Sequence, residues 1–155
     1  MTEKNITAKI RICSYTELTE EQKKLVDLAR EATHSSYAPY SNFHVGAALT
    51  LDNGEVFIGA NQENAAFPAG ICGERSALFA AGAKYPGVPV KAVAITAEHN
   101  GEFIEEPAAP CGVCRQAFLE FEKNGHDISL ILAGKEMIYL IDSFHDIMPL
   151  SFTEF

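Results

Sequence analysis

The chain has 155 residues, of which 47% are hydrophobic and 21% charged, and its formal net charge is −9. This length and composition predict one globular domain that is large enough to bury a hydrophobic core. The negative charge, together with Lys and Arg residues that are scattered rather than clustered, argues against DNA or RNA as a partner, because both are polyanions.

The first residues of the chain show only a weak alternation of polar and apolar side chains, and a predicted helix follows them. Residues 1–15 alternate weakly between polar and apolar and are expected to form an N-terminal arm or an edge strand, outside a single domain of residues 16–155. Thr19 followed by Gln22 matches a capping box, which predicts a helix from residue 20 that ends near residue 35.

A hairpin and a second helix follow. Residues 43–51 and 55–60 alternate as strands do, and the intervening Asp52-Asn53-Gly54 is a strong signal for a hairpin turn. After a loop, residues 73–83 predict a helix that stops at Gly82. These two strands are therefore expected to pair antiparallel, with the helix packed on their sheet.

The last part of the chain alternates between strands and helices. Residues 90–96 form a continuous apolar run typical of a buried strand, residues 99–110 a turn-rich loop, and residues 112–123 a helix. The remaining predicted elements are a strand over 128–133, a strand over 137–141 and a short helix over 142–148. The order predicts an α/β fold with a mixed sheet of about five strands and helices on both faces. The short turn between the last two strands favours antiparallel pairing, but their direction stays open.

The role predicted for the four cysteines depends on the cellular compartment of the protein. The first residues, MTEKNITAKIRIC, lack the apolar core of a signal peptide, and no apolar run approaches the roughly 18–20 residues of a membrane span. We therefore expect a cytoplasmic location and no membrane partner. Thiols stay reduced there, so cysteines are candidates for metal ligands, catalysts or packing residues before disulfides.

Three cysteines stand at the starts of two predicted helices. Cys111 and Cys114 lie at i and i+3, on one face of a helical turn, and Cys72 precedes the other helix. Side chains lean toward a helix N-terminus, so the three sulfurs can meet one Zn²⁺ ion, and the positive helix ends favour thiolates. Three ligands leave one open position, which is typical of catalytic zinc. Cys13 has no near partner and is predicted to be a packing residue.

Charged residues next to these cysteines suggest proton transfer. Glu74 follows Cys72 by two residues, so its carboxylate can lean toward the open position, take a proton from a water molecule and pass it on. Zn²⁺ with three thiolates has a net charge of −1, so positive charge is expected nearby. Arg75 and Arg115 each follow a motif by one residue, and we expect one or both to hydrogen-bond a ligand sulfur.

A CxE motif at one helix start with PCxxC thirty-nine residues later matches the signature of the zinc deaminases, including their three-cysteine variant. The sequence closely resembles the small cytidine deaminases of the homotetrameric three-cysteine type, over about residues 20–152. The segments that carry the resemblance are SYAPYSNFHVGAAL (36–49), GANQENAAFPAGICGERSALF (59–79), PCGVCRQAF (110–118) and MPLSF (148–152). The first two are specific to the nucleoside branch.

The resemblance implies a three-layer α/β/α sandwich with a mixed five-stranded sheet. It implies a homotetramer that deaminates cytidine and deoxycytidine in pyrimidine salvage, with one zinc per chain and a neutral nucleoside as substrate. It implies Cys72, Cys111 and Cys114 as zinc ligands and Glu74 as the proton shuttle. The residues that it implies for substrate binding are Asn61 and Glu63 at the ribose, the Gly73 backbone at the base, Phe43 as an apolar wall, and Phe152 stacking from a neighbouring subunit.

Two positions depart from the family pattern. Phe67 stands where tyrosine is common, so any contact of that hydroxyl is lost, and Gly73 stands where alanine is usual, so the turn there is freer.

The same residues are also compatible with simpler roles. CxxC alone also occurs in redox pairs and in structural zinc sites, and a glutamate at a helix start can simply complement the helix dipole. Asn61 and Glu63 could form a solvated pair, Phe43 could belong to the core, and Phe152 to the core or a loose tail. Alternative functions are deamination of another cytosine nucleoside, such as blasticidin S, and a non-catalytic zinc-binding relative. A polynucleotide deaminase is disfavoured by the negative charge.

Overall fold

The computed structural model describes residues 1–122 and 125–153. Its α-helices are α1 (Glu20–Ala32), α2 (Gly73–Lys84) and α3 (Gly112–Phe121). Its strands are β1 (Arg11–Ser14), β2 (Phe43–Leu51), β3 (Val56–Ala60), β4 (Val90–His99), β5 (Glu102–Phe103), β6 (Ser129–Ala133) and β7 (Met137–Ile141). Short 3-10 helices follow α1, precede α2 and follow β7. None of the helices in this part of the chain has the length and apolar character that would let it cross a membrane.

The strands form one mixed sheet in the order β1-β7-β6-β4-β2-β3, with β5 pairing to the end of β4. Among the strands of the described residues, only β4 and β6 pair in parallel, and α3 provides the crossover between them. β2 and β3 form the predicted hairpin, with Leu49 opposite Phe57. β6 and β7 pair antiparallel, which settles the direction that the sequence left open.

The predicted α/β/α sandwich is confirmed, but the sheet has seven strands and not about five. The first additional strand is β1, which pairs antiparallel with β7 and is tied to it by an ion pair between Arg11 and Asp142. The second is β5, in the segment predicted as a loop, where a turn at Asn100 and Gly101 folds the chain back onto β4. Both strands are very short, and their pairing partners are not encoded in their own local pattern.

The two faces of the sheet carry two separate hydrophobic clusters. Alternate residues of a strand point to opposite faces, so Leu49 packs under α2 and α3 while Ala48 packs under α1. The α1 side is the smaller of the two clusters, and its buried residues are alanines, leucines, isoleucines and a valine. The opposite side is larger and contains Phe118 and Phe144, whose rings stack with centroids 4.5 Å apart. Cys13 lies half-buried at the edge of the α1 cluster, as a packing residue would.

Helix α1 begins where predicted, since Thr19 and Gln22 form both hydrogen bonds of a capping box. Helix α2 does not stop at Gly82 as predicted but continues to Lys84. A Cβ atom at Gly82 would lie 3.2 Å from the ring of Phe121, which is closer than ordinary van der Waals contact. This glycine therefore serves the packing of α2 on α3 and does not end the helix. The predicted end of the third helix at residue 123 lies outside the described residues.

Two further glycines bring helices close to the sheet. At Gly46 in β2, a Cβ atom would overlap the carbonyl oxygen of Ala29 in α1 and lie 2.8 Å from the backbone nitrogen of Thr33. At Gly59 in β3, it would overlap the carbonyl oxygen of Gly73 and lie 2.6 Å from the nitrogen of Ala77. The N-terminal turn of α2 can therefore rest directly on β3.

We expect Gly46→Ala to lower the free energy of unfolding by about 2–3 kcal/mol, because the new methyl group meets backbone atoms that cannot rotate away. Gly112→Ala is the matched control, since a Cβ atom there meets no heavy atom within 4 Å. Urea unfolding of both variants measures the difference. Equal stability of the two variants would contradict the close approach of α1 to β2.

Candidate metal centre and substrate pocket

Three cysteines lie at the N-termini of α2 and α3. Cys72 is the N-cap residue of α2 and Cys111 the N-cap residue of α3, both with extended backbone, and Cys114 lies in the first turn of α3. Cys114 is buried, Cys72 is half-buried and Cys111 is exposed. The sequence prediction that two helix starts bring the three thiols together agrees with this arrangement.

The spacing of the three sulfurs fits a metal ion and not a disulfide. The Sγ atoms of Cys72 and Cys111 are 3.8 Å apart, those of Cys111 and Cys114 are 3.5 Å apart, and all three lie within 4.8 Å of one another. A disulfide bond requires a much shorter separation of about 2 Å. Zn–S bonds of about 2.3 Å in tetrahedral geometry place sulfurs about 3.8 Å apart. The cluster is therefore compatible with one zinc ion per chain.

The guanidinium of Arg75 places a positive charge next to the sulfur of Cys72. Its Nη2 lies 3.8 Å from the Sγ of Cys72, within hydrogen-bonding distance for sulfur. The pKa of Cys72 is lowered to about 5, because the thiol of Cys114 and then the guanidinium of Arg75 donate hydrogen bonds to its sulfur and outweigh the effect of burial. The lowered pKa favours the thiolate, which is the form of cysteine that binds a metal cation.

Glu74 lies in the first turn of α2 and is only 4% exposed. Burial raises the pKa of its carboxyl group, and the negative charge of Cys72 raises it further. A carboxyl group of this kind holds a proton more readily than a carboxylate in water. This property suits a group that accepts a proton and gives it up again within one reaction.

The polar wall of the neighbouring pocket is a short extended segment, 61–63. Gln62 bridges to Tyr37 on one side and to Ile71 on the other, so the segment is held between two parts of the chain. Asn61 and Glu63 alternate with Gln62 and therefore share one side. A cavity of about 480 Å³ is lined by both residues together with Cys72, Arg75, Tyr40 and Phe67. The fold thus brings Cys72 of the candidate metal centre and the candidate ribose-binding residues to one cavity.

The side chain of Asn61 has a fixed orientation. Its Oδ1 accepts hydrogen bonds from the hydroxyl of Ser36 and from the backbone N–H of Val45 at 2.8 Å. Its Nδ2 donates to the carbonyl of Phe43 at 2.9 Å, which uses one of its two N–H groups. Asn61 can therefore offer a ligand only a donor.

Glu63 presents the complementary group. Its carboxylate accepts hydrogen bonds from the backbone N–H of Tyr40 at 2.8 Å and from both the hydroxyl and the N–H of Ser41. The pKa of Glu63 is lowered, first by the hydrogen bond of the Ser41 hydroxyl. It is therefore ionised at neutral pH and can only accept. Asn61 thus offers a donor and Glu63 an acceptor, which are the two kinds of partner that hydroxyl groups use.

Phe43 and Gly73 lie close to these groups. Phe43 is half-buried at the start of β2, with its ring 6.0 Å from that of His99. Gly73 is the first residue of α2, and a Cβ atom there would lie 3.1 Å from the Cα of Ala60 and from the carbonyl oxygen of Val45. Glycine therefore differs from alanine at this position in two ways: its backbone is freer, and it has no methyl group to press against the neighbouring strands.

Phe152 and Arg115 have contacts outside the cavity. The side chain of Phe152 is 67% exposed, and its backbone is held by the side-chain amide of Gln116. Arg115 donates from Nε to the carbonyl of Pro110 and from Nη1 to the carbonyl of Ile147, both at 2.8 Å. Of the two arginines expected to approach the sulfurs, Arg75 has a hydrogen bond to one, whereas the guanidinium of Arg115 is directed at two carbonyl groups.

The structure adds Ser36 and Ser41 to the site. Each donates its hydroxyl hydrogen to one of the two polar residues of the pocket wall. The sequence contains both serines, but their partners are 25 and 22 residues away, so no local pattern predicts these bonds.

Comparison with known proteins shows a consistent family. Residues 19–125 match the model of the cytidine and deoxycytidylate deaminase zinc-binding region. A cytidine deaminase of Sporosarcina psychrophila is 41% identical over 100 residues, which cover 64% of this chain and 68% of that protein. A probable cytidine deaminase of Dictyostelium discoideum is 31% identical over 87% of this chain and 86% of that protein. The crystal structure of a cytidine deaminase from Burkholderia pseudomallei aligns with a TM-score of 0.71 at 37% identity, covering 87% of this chain and 100% of that one.

In metal-free protein, we expect Cys72 to react with iodoacetamide with an apparent pKa of about 5, because its thiolate is stabilised by Cys114 and Arg75. Arg75→Gln removes one of these donors and is expected to shift the apparent pKa upward. Peptide mass spectrometry after alkylation between pH 4 and pH 9 measures both values. If Cys72 of the unmodified chain titrates near the ordinary cysteine pKa, the hydrogen bonds assigned to its sulfur are wrong.

Proposed function

The chain belongs to the zinc-binding family of cytidine and deoxycytidylate deaminases, and we propose that it catalyses the hydrolytic deamination of cytidine and deoxycytidine to uridine and deoxyuridine plus ammonia. The observation that carries this proposal is the three-thiol cluster, because its member Cys72 lines the same cavity as the hydroxyl-binding pair Asn61 and Glu63. The net charge of −9 agrees with a substrate that carries no phosphate.

Cys72, Cys111 and Cys114 are the proposed ligands of one zinc ion per chain. When bound, zinc supplies the Lewis acidity that activates a water molecule for attack on the pyrimidine ring. Three thiolates on Zn²⁺ leave a net charge of −1, and Arg75 compensates part of it through its hydrogen bond to Cys72. Arg75 is therefore the proposed compensating charge of the two arginines, because the Nε and Nη1 of Arg115 donate to two carbonyl groups.

Glu74 moves the protons of the proposed reaction. It takes a proton from the attacking water and protonates N3 of the base, while the oxygen adds to C4. It then takes the proton of the new C4 hydroxyl group and delivers it to the amino group as the C4–N bond breaks, the C4 carbonyl forms and ammonia leaves. Its burial keeps bulk water away from the carboxyl group, and the raised pKa lets it hold each proton between taking it up and releasing it.

The pocket wall recognises the sugar. Asn61 donates to, and Glu63 accepts from, a ribose hydroxyl, since their other bonding positions are engaged by the protein. The backbone of Gly73 contacts the base, and Phe43 forms an apolar wall beside it. Ser36 and Ser41 keep the amide and the carboxylate in the required orientation.

Assembly and cellular role follow from the same family likeness. We propose a homotetramer in which Phe152, with its exposed ring, stacks on the base in a neighbouring subunit. We also propose a cytoplasmic enzyme of pyrimidine salvage, built as an N-terminal arm of residues 1–15 and one domain of residues 16–155. Strand β1 would then be the part of the arm that docks on the sheet.

The substrate class is tested with purified protein of known zinc content. We expect about one zinc per chain and a decrease of cytidine and deoxycytidine absorbance as uracil nucleosides form. Deoxycytidine monophosphate and blasticidin S are the comparison substrates, and both should react at least tenfold more slowly in kcat/KM. Preferred turnover of blasticidin S would establish the alternative deaminase, and no turnover of any of the four would indicate a non-catalytic zinc-binding relative.

Glu74→Gln is expected to keep zinc and to lower kcat by roughly 10²–10⁴-fold, because the amide has the same shape but cannot accept and return a proton. Glu31→Gln is the control, since Glu31 is an exposed residue of α1. Zinc is measured by atomic absorption and kcat by the absorbance assay. Loss of zinc in Glu74→Gln, with the control unaffected, would show that Glu74 has a structural and not a proton-transfer role.

A further inference from the structure

Helix α3 carries two of the candidate zinc ligands and also holds the chain that follows β7. Arg115, Phe118 and Glu122 are spaced at i, i+3 and i+7, so they lie on one side of the helix and its C-cap. Phe118 stacks on Phe144, and the buried carboxylate of Glu122 accepts the backbone N–H of Phe144 at 2.8 Å. The C-terminal segment, defined here as residues 143–152, is thus attached to α3 by packing and by hydrogen bonds.

Arg115 connects this segment to the metal-binding loop. Its Nε donates to the carbonyl of Pro110, the residue directly before Cys111, and its Nη1 donates to the carbonyl of Ile147. Both distances are 2.8 Å, and the guanidinium is half-buried between its partners. Two parts of the chain that are 37 residues apart are therefore joined by one rigid, planar group.

We propose that Arg115 is a positioning residue of the metal centre, whose guanidinium fixes the Pro110–Cys111 backbone against the C-terminal segment. This inference rests on the proposed function only in taking the three cysteines as zinc ligands. The sequence led us to expect that Arg115 compensates the negative charge of the thiolates. Charge compensation would not require hydrogen bonds to two particular carbonyl groups, whereas the structure shows such bonds. In this proposal, Arg115 acts by holding the carbonyl groups of Pro110 and Ile147 at a fixed distance from each other.

Exposure of Cys111 explains why such a bridge is needed. Cys114 is buried and is held by the packing around it, whereas Cys111 is exposed and lies before the first turn of α3. The position of its sulfur therefore depends on the backbone of the loop. A hydrogen bond to the preceding carbonyl restrains this backbone, and residues that orient metal ligands from behind commonly change metal affinity by 10–100-fold when replaced.

The test compares Arg115→Lys with Arg115→Met. Lysine keeps the positive charge but replaces the planar guanidinium and its fixed donor directions by one nitrogen on a flexible stem, and methionine keeps only an apolar stem. We expect zinc release to a colorimetric chelator to become roughly tenfold faster in both variants. We also expect faster amide hydrogen exchange in peptides covering 109–115 and 143–149. Exchange is measured on metal-free protein, so it reports on the bridge even if the zinc assignment fails.

Gln116→Ala is the matched control, because Gln116 binds the backbone of Phe152 and not the metal-binding loop. It should loosen residues 150–152 and leave zinc release at the wild-type rate. Wild-type zinc release in Arg115→Lys with fast release in Arg115→Met would show that charge matters and would overturn the proposal. Faster exchange throughout the domain, or fast release in Gln116→Ala, would overturn it as well, because the effect would then be general loosening.

Discussion

Three sulfurs lie within reach of one ion because two helices begin at the same place on the sheet. This convergence depends on the close contact between α2 and β3, where Gly59 lets the first turns of the helix rest on the strand. It also depends on the parallel β4–β6 pairing, whose crossover places α3 next to α2. The candidate metal centre is therefore a consequence of helix packing. Each cysteine supplies one sulfur, and its place at a helix start decides where that sulfur lies.

The same packing gives the two glutamates of the site, Glu74 and Glu63, different acidities. Glu74 is buried in the first turn of α2, where the pKa of its carboxyl group is raised, while Glu63 on the pocket wall has a lowered pKa because Ser41 and Tyr40 donate to it. One carboxyl group is thus suited to carry protons and the other to accept a hydroxyl hydrogen. Their environments, and not their chemical type, make the difference.

The C-terminal segment extends this organisation beyond the sheet. It is attached to α3 through Phe118, Glu122 and Arg115, and Gln116 holds its last described part. The helix that supplies two thiols therefore also determines where Phe152 lies. In the proposed homotetramer, this attachment would connect the metal-binding helix of one subunit with the ring that stacks in its neighbour.

Local patterns in the sequence determined the features whose causes are local. The capping box at Thr19, the hairpin at residues 52–54 and the cysteines at two helix starts were predicted because each depends on residues a few positions apart. Only the tertiary structure decided the pairing of β1 and β5, the continuation of α2 past Gly82, and the bonds of the pocket serines and of Arg115. These contacts join residues distant in the chain, or replace a local preference by packing, so no nearby residue signals them.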